Sequence, residues 1–416
     1  MKQVKAIVIG AGQRGNAYSE YAVKNPGDIV FVGVAEPHEI RREAFAKKFG
    51  VDKADCLHTW EDVFAREKWA DAVLICTPDR LHYGPAMAAI EQGYDVLLEK
   101  PAAPTPRECT DIADAAEKKG VKVVVCHVMR YSPFALRIKE VIDSGEIGKI
   151  RSIIHNENVG HVHMSHSFVR GNWSNKEQSA PMILAKSCHD MDLLQWFIGK
   201  KCKSLSSYGS LSYFNKANCP KEAPPRCTDG CTVDCPYDCR KLYLNSKNEW
   251  FRSVAAGHFN ASDSEVEEVL KTGPYGRCVF QCDNNVVDNQ VVCMSFEDDI
   301  TVNFSMSSFT PDTSRSIKIL GTKGQIKAHT SQKTALVTNF YTGKEFEIDT
   351  TAVGGHGGGD SGIMTSFIDF LRGREVPDIS EVRVSAENHM LCFAAEESRL
   401  AGGARIELGN AKASFA

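Results

Sequence analysis

The stretch Gly10-Ala11-Gly12-Gln13-Arg14-Gly15 constrains this chain more than any other, because of what stands on either side of it. Before it runs the apolar segment Ala6–Ile9, short enough for a buried strand, and after it Arg14–Lys24 carries apolar residues at helical spacing. Glycines between a strand and a helix allow a tight turn and let backbone amides approach a pyrophosphate at the positive helix end. Glu36 closes the next apolar run, Ile29–Ala35, where its carboxylate can accept from the hydroxyls of an adenosine ribose. Gly10, Gly12, Gln13, Arg14, Gly15 and Glu36 are therefore the expected dinucleotide-binding residues, with NAD as the cofactor. The acid would repel a 2′-phosphate, while Arg41 and Arg42, a helical turn later, could offset it for NADP.

The alternation continues down the chain. Strand-like runs at Ala72–Cys76, Asp95–Leu98 and Val121–Val125 are interleaved with helical patterns at Glu39–Lys47, Pro85–Gln92 and Pro106–Lys119. That order predicts an α/β fold, a Rossmann domain with a doubly wound parallel sheet over residues 1–126. Beyond Tyr131 come a helix at Pro133–Ser144, a strand around Ile150–Asn158 and a helix from about His189. Alternating segments at Val286–Phe296, Ile300–Ser307 and Ser316–Leu320 then read as antiparallel strands covered on one face. Residues 127–416 are expected to form an α+β domain with a large, mostly antiparallel open sheet and a cysteine-rich insert at about 219–239.

Forty-nine Lys and Arg against 53 Asp and Glu leave no basic tract that could track a phosphate backbone, so nucleic acid is not an expected partner. No apolar run approaches the roughly 18 residues of a membrane span. Met1-Lys2-Gln3 leads directly into the first strand, without room for a signal peptide. The 15 cysteines are odd in number, and Cys76 and Cys126 sit in buried-strand patterns, which points to a reduced, cytoplasmic protein.

The glycine-rich turn, Cys76-Thr77-Pro78 with His82, Glu99-Lys100-Pro101 and Arg130-Tyr131 together resemble the glucose–fructose oxidoreductase / inositol dehydrogenase / MocA (Gfo/Idh/MocA) family. The resemblance implies hydride transfer between a nicotinamide and a secondary hydroxyl or ketone of a sugar, polyol or glycoside, with glycoside 3-oxidation among the reactions covered. It implies that Lys100 hydrogen-bonds the reacting hydroxyl, that Thr77, Pro78, Glu99 and Pro101 border the nicotinamide with His82 beside them, and that the chain forms a homo-oligomer, a dimer or tetramer, through its open sheet. Apart from the resemblance, Lys100 stands at the carboxyl end of a parallel strand, where such sheets bind ligands.

In Ile183–Asp192, His189 matches the family's catalytic histidine, Ala185 replaces the aspartate four residues earlier, and Lys186 is shared with one subgroup. A histidine at a helix N-terminus is favoured as neutral imidazole, an acceptor for a substrate hydroxyl. Lys100, His189 and Lys186 are thus the catalytic candidates. Asp190 and Asp192 read as helix caps. Substrate candidates are Arg130, Tyr131, Arg170, the stacking face of Trp173, and His356 and Asp360 in the loop Gly354–Asp360. Two further readings remain: redox-neutral cleavage of a glycoside by oxidation and elimination, and an NAD-responsive binding protein without catalysis.

Cys227, Cys231, Cys235 and Cys239 repeat every fourth residue among helix-opposing Pro225, Gly230 and Pro236. Thiolates in such an array suit a structural zinc held by Cys227, Cys231, Cys235 and Cys278, with Cys239 as the alternative fourth ligand; an iron–sulfur cluster or plain reduced thiols share the pattern.

Overall fold

The computed structural model describes residues 2–246 and 248–408. Its first half alternates β1 (Val4–Ile9), α1 (Gln13–Lys24), β2 (Ile29–Ala35), α2 (Glu39–Phe49), β3 (Cys56–Leu57), α3 (Trp60–Phe64), β4 (Ala72–Ile75), α4 (Tyr83–Glu91), β5 (Asp95–Leu98), α5 (Pro106–Lys119) and β6 (Val123–Val125). The six strands are parallel in the order β3-β2-β1-β4-β5-β6, so the winding reverses between β1 and β4. A crevice opens there beyond the strand carboxyl ends. Every residue of β4 is buried because helices cover both sheet faces. Helix α5 shows how local chemistry sets its limits: Thr105 Oγ1 accepts from Glu108 N at 3.3 Å, Pro106 opens the first turn, and Gly120 ends the helix at φ 70°.

The second half contains α6 (Pro133–Asp143), β7 (Ile150–Asn158), α7 (His161–His163) continued by π-helical turns over Met164–Arg170, α8 (Met182–Ala185), α9 (Cys188–Ile198) and β8 (Cys202–Ser210). After the cysteine-rich segment come α10 (Glu249–Ala256), α11 (Asp263–Thr272), β9 (Asn289–Phe296), β10 (Thr301–Ser307), β11 (Ser314–Gly321), β12 (Gly324–His329), β13 (Thr334–Asn339), β14 (Glu345–Asp349), α12 (Gly359–Leu371), α13 (Val382–Leu400) and β15 (Ile406–Glu407). Nine strands form the sheet β14-β13-β12-β11-β7-β10-β9-β8-β15, antiparallel at every junction except β7–β10. Burial alternates along β9 and β10, so one face is packed and the other open.

Two late helices return to the first sheet. Ile363, Met364, Phe367 and Ile368 of α12 join the core that contains Val8 and Leu74, while Val382 and Ala386 of α13 join the core on the opposite face. Val125 N donates to Ser380 O at 2.9 Å, fastening that return to the edge strand β6. The crevice is thereby walled by both halves of the chain.

Candidate active site

The dinucleotide turn packs as its sequence requires. A Cβ at Gly10 would lie 2.6 Å from Cys76 O and one at Gly15 2.1 Å from Gly10 O, whereas one at Gly12 meets nothing within 4 Å. Two glycines hold the turn against the sheet, and the third leaves the backbone open to a pyrophosphate. Glu36, at the tip of β2, accepts from Ala11 N at 2.9 Å and His38 N at 3.0 Å, which places its carboxylate beside the turn. These residues fit an NAD adenosine and pyrophosphate. Arg42 is buried and donates to Glu36 O at 2.7 Å and Pro37 O at 3.3 Å, and Arg41 donates to Gly257 O at 2.5 Å, so the structure engages both guanidiniums with backbone carbonyls.

Lys100 follows β5, its Nζ 2.8 Å from Ala185 O and 5.6 Å from the Trp173 ring centre. Glu99 beneath it accepts from Arg14 Nε at 2.8 Å, Tyr18 OH at 2.7 Å and Lys100 N at 2.6 Å. Burial alone would raise the Glu99 carboxyl, but Arg14 and Lys100 outweigh it and hold it below the usual range. The ring nitrogens of His82 lie 2.7 Å from Pro101 O and 2.8 Å from Thr77 O, so this histidine staples the ends of β4 and β5 together. Pro78 opens the turn between them.

His189 lies in the first turn of α9 and is buried, with no partner for Nδ1 among the described residues. Burial, then Lys100, His127 and His356, push its imidazole well below the usual histidine range, so it is neutral. The His127 and His356 rings stand 5.9 and 6.1 Å from it, centre to centre. Lys186 turns instead to Glu157 at 3.3 Å. Asp190 is bound by Arg315 at 2.8 and 3.1 Å and by His155 at 2.6 Å, and therefore does not orient His189.

The remaining candidates separate. Trp173 reaches the Lys100 locus, anchored by Nε1 donating to Asp79 at 3.0 and 3.2 Å. His356 and Asp360 also reach it through Arg14, which donates to Asp360 at 2.7 and 3.2 Å. Arg130 is paired with Asp192 in a buried bidentate contact, with Asn388 Nδ2 donating to the same carboxylate at 2.6 Å. Asp190 and Asp192, expected as caps, are buried ion-pair partners, because α9 is packed in the core and its carboxylates face cations of other elements. Tyr131 OH pairs with Ser380 Oγ at 2.8 Å, and Arg170 points into the cysteine-rich segment, donating to Arg277 O at 2.8 Å and Tyr237 O at 2.7 Å. There Cys227, Cys231, Cys235 and Cys278 border one small cavity, and the hydrogen bond from Cys239, aided by Arg170, lowers the Cys227 thiol from its ordinary range. Asp79, which anchors Trp173, and His127, beside His189 and without a hydrogen-bond partner among the described residues, join this locus although no sequence spacing announces them.

Residues 4–127 match the oxidoreductase family GFO_IDH_MocA in its NAD-binding Rossmann fold, and residues 139–377 match the family's C-terminal alpha/beta domain. YteT of Bacillus subtilis, named as an oxidoreductase, is 27% identical over 77% of this chain and 78% of its own length. The D-glucoside 3-dehydrogenase of Escherichia coli is 29% identical over 35% of this chain and 41% of its own length. A levoglucosan dehydrogenase structure superposes with a TM-score of 0.72 at 17% identity, covering 98% of this chain and 100% of that one, and shows the shared fold. Among the described residues, no helix is long and apolar enough to cross a membrane.

Proposed function

Because this chain belongs to the Gfo/Idh/MocA oxidoreductase family, we propose that it transfers a hydride between NAD and a secondary hydroxyl or ketone of a sugar, polyol or glycoside. The observation that carries this reading is the position of Lys100 at the end of β5, with Nζ 2.8 Å from Ala185 O in the segment that leads to His189. Bound NAD supplies the hydride acceptor. Lys100 Nζ takes the proton of the substrate hydroxyl, and neutral His189 accepts a hydrogen bond that orients it. Trp173 offers a ring face to the sugar, and Asp79 fixes that ring. The likeness to a D-glucoside 3-dehydrogenase favours glycosides within the substrate class, with C3 as the carbon oxidised.

A second reading has an observation of its own. Gln13 Nε2 donates to Ser253 Oγ at 2.7 Å, so α10 lies across the dinucleotide turn and would retain the nucleotide through a redox-neutral oxidation and elimination. A panel of inositols, free sugars and glycosides, scored for both NADH and cleaved product, separates the two. NADH formation supports the dehydrogenase, and cleavage without net NADH supports elimination. Neither with any member removes both.

The chain's setting is proposed to be the reducing cytoplasm. Tyr208 pairs with Val291 on the open sheet, and both are exposed, as is Ile154. This apolar face supports a homo-oligomer. Light scattering of Val291→Glu should give a smaller mass than the parent; equal masses would remove the assignment.

A further inference from the structure

The redox reading makes no use of seven cysteines between Cys219 and Cys282, all of them free thiols in the structure. Their segment is shaped by pairing with a distant strand of chain: Cys227 N donates to Gly276 O at 2.9 Å and Cys278 N to Pro225 O at 2.8 Å. That pairing closes a small cavity lined by Cys227, Cys231, Cys235, Asp238 and Cys278, with Arg170 in its wall. The sulfurs of Cys227 and Cys239 and a carboxylate oxygen of Asp238 lie within 4.8 Å of one another, all three residues buried. Cys235 sits one turn away, where its sulfur accepts from Tyr237 N at 3.4 Å and its carbonyl from Asp238 N at 3.2 Å. An amide donating to the sulfur two residues back stabilises thiolate charge in a tight turn, and Cys235, Asp238 and Cys239 fall within the short spacing of metal-binding turns.

Arg170 supplies a separate argument. Its side chain is fully buried, Nη1 has no hydrogen-bond partner among the described residues, and its other contacts include two carbonyls, Cys227 Sγ at 3.7 Å and the Tyr243 side chain. Among the described residues no carboxylate forms an ion pair with it. A buried guanidinium without a counter-charge is costly, and a site of three thiolates and a carboxylate around a divalent ion carries the net negative charge that would offset it.

We propose that Cys227, Cys239 and Asp238 hold one structural zinc ion, with Cys235, which borders the adjoining cavity, as the fourth ligand. Three thiolates with one carboxylate suit tetrahedral zinc, and they disfavour calcium or magnesium, which take oxygen ligands. Arg240 donates from its backbone N and Nε to Asp238 Oδ1 at 2.9 and 3.0 Å and from Nε to Oδ2 at 3.1 Å, and so orients that carboxylate as an outer partner of a ligand does. The ion pins the cysteine-rich segment to Arg170, which ends the π-helical turns leading to Trp173, and so buttresses the wall of the proposed substrate site.

Elemental analysis of protein purified without chelator should find about one zinc per chain, and cobalt loaded in its place should show the thiolate-to-metal charge transfer and intense visible bands of a tetrahedral site. Cys227→Ser and Cys239→Ser should each lose the metal while NAD titration stays normal, and Cys293→Ser, exposed on β9, should keep it. Should the two variants fail to fold, mercurial titration of the parent with a metallochromic dye takes their place, and zinc should leave as the thiols react. The proposal is overturned by protein that holds no zinc even after incubation with the ion, by a Cys227–Cys239 disulfide in the folded protein, by iron in place of zinc, or by zinc retained in the Cys227→Ser, Cys239→Ser double variant.

Discussion

Arg14 and Asp360 form a two-pronged ion pair, Nη2 to Oδ1 at 2.7 Å and Nη1 to Oδ2 at 3.2 Å, that joins the helix after the dinucleotide turn to the glycine loop far along the chain. The same guanidinium reaches Glu99 through Nε, so one side chain connects the cofactor turn, the strand end that carries Lys100, and the loop that carries His356. His356 holds a left-handed backbone at φ 46° between Gly354 and Gly357, and its Nδ1 lies 2.9 Å from Asp360 Oδ1. The loop's conformation is thereby tied to the position of Lys100.

Asp360→Asn should loosen this junction and cost about 1–3 kcal/mol in unfolding free energy, since it removes a charge-assisted partner from a largely buried guanidinium. The effect carries a pH signature. Burial would raise the Asp360 carboxyl, but the His356 hydrogen bond and Arg14 outweigh it and hold it well below 3.8. A depressed folded value means the stabilisation is present in full above the unfolded value and is lost as pH falls below about 4. Urea titrations at pH 7 and pH 3 should show the gap between parent and variant shrinking in acid; an unchanged gap would assign the loss to packing alone.

The residues that define β1, α1, β2 and Glu36 were legible because strand period, glycine turn and helix period are all local. Short β3 and α3 were not, since two and five residues carry too little pattern to register. The return of α12 and α13 to the first sheet also escaped the sequence, because a helical stripe says that a face is buried and not which core receives it. Arg170 and Trp173 show the same limit at the site. Three residues apart, they leave in different directions, one to the cysteine segment and one to Lys100, and only the π-helical turns before them decide this. Asp79 had no signal at all, as a lone acid after Pro78 reads as a solvated turn residue.

Glu36→Ala should weaken NAD binding by about tenfold and narrow the preference over NADP, because it deletes the acceptors proposed for the ribose hydroxyls. Ala11 N and His38 N lose their acceptor as well, so part of the loss will fall on both nucleotides. Fluorescence titration of each nucleotide against parent and variant measures it. Tighter binding of NADP by the parent protein would overturn the NAD assignment.

Arg315→Met should destabilise the protein by about 3–5 kcal/mol, as it strands two fully buried carboxylates, Glu157 and Asp190, on one side of α9. Lys186 and His155 would remain as their cationic or imidazole neighbours, and Glu157, whose carboxyl burial and Asp190 already push up, would be left sharing a hydrogen bond with Asp190. Lys203→Met, which breaks an exposed pair with Asp299, should change stability by less than about 1 kcal/mol. Thermal unfolding of the two variants gives the comparison, and similar small shifts would mean that the buried network relaxes by admitting water.

Lys100→Met keeps the apolar stem that lies beside Trp173 and removes the only part able to carry a proton. General acid–base groups contribute about 100- to 10,000-fold, so kcat should fall by that order with a responsive substrate. NAD affinity should stay near the parent value, because the contacts proposed for the nucleotide lie at Gly10–Gly15 and Glu36, and Glu99 keeps Arg14, Tyr18 and the backbone amide of residue 100. His189→Ala should lose less rate than Lys100→Met if the imidazole orients the hydroxyl while the lysine takes its proton. The pH profile distinguishes those roles: deleting the proton acceptor removes a limb of the kcat/KM profile, whereas deleting an orienting group lowers the whole profile without moving it. A folded Lys100→Met protein with near-parent turnover would shift the proton acceptor to His189, whose Nδ1, unpartnered among the described residues, is buried beside the same cleft.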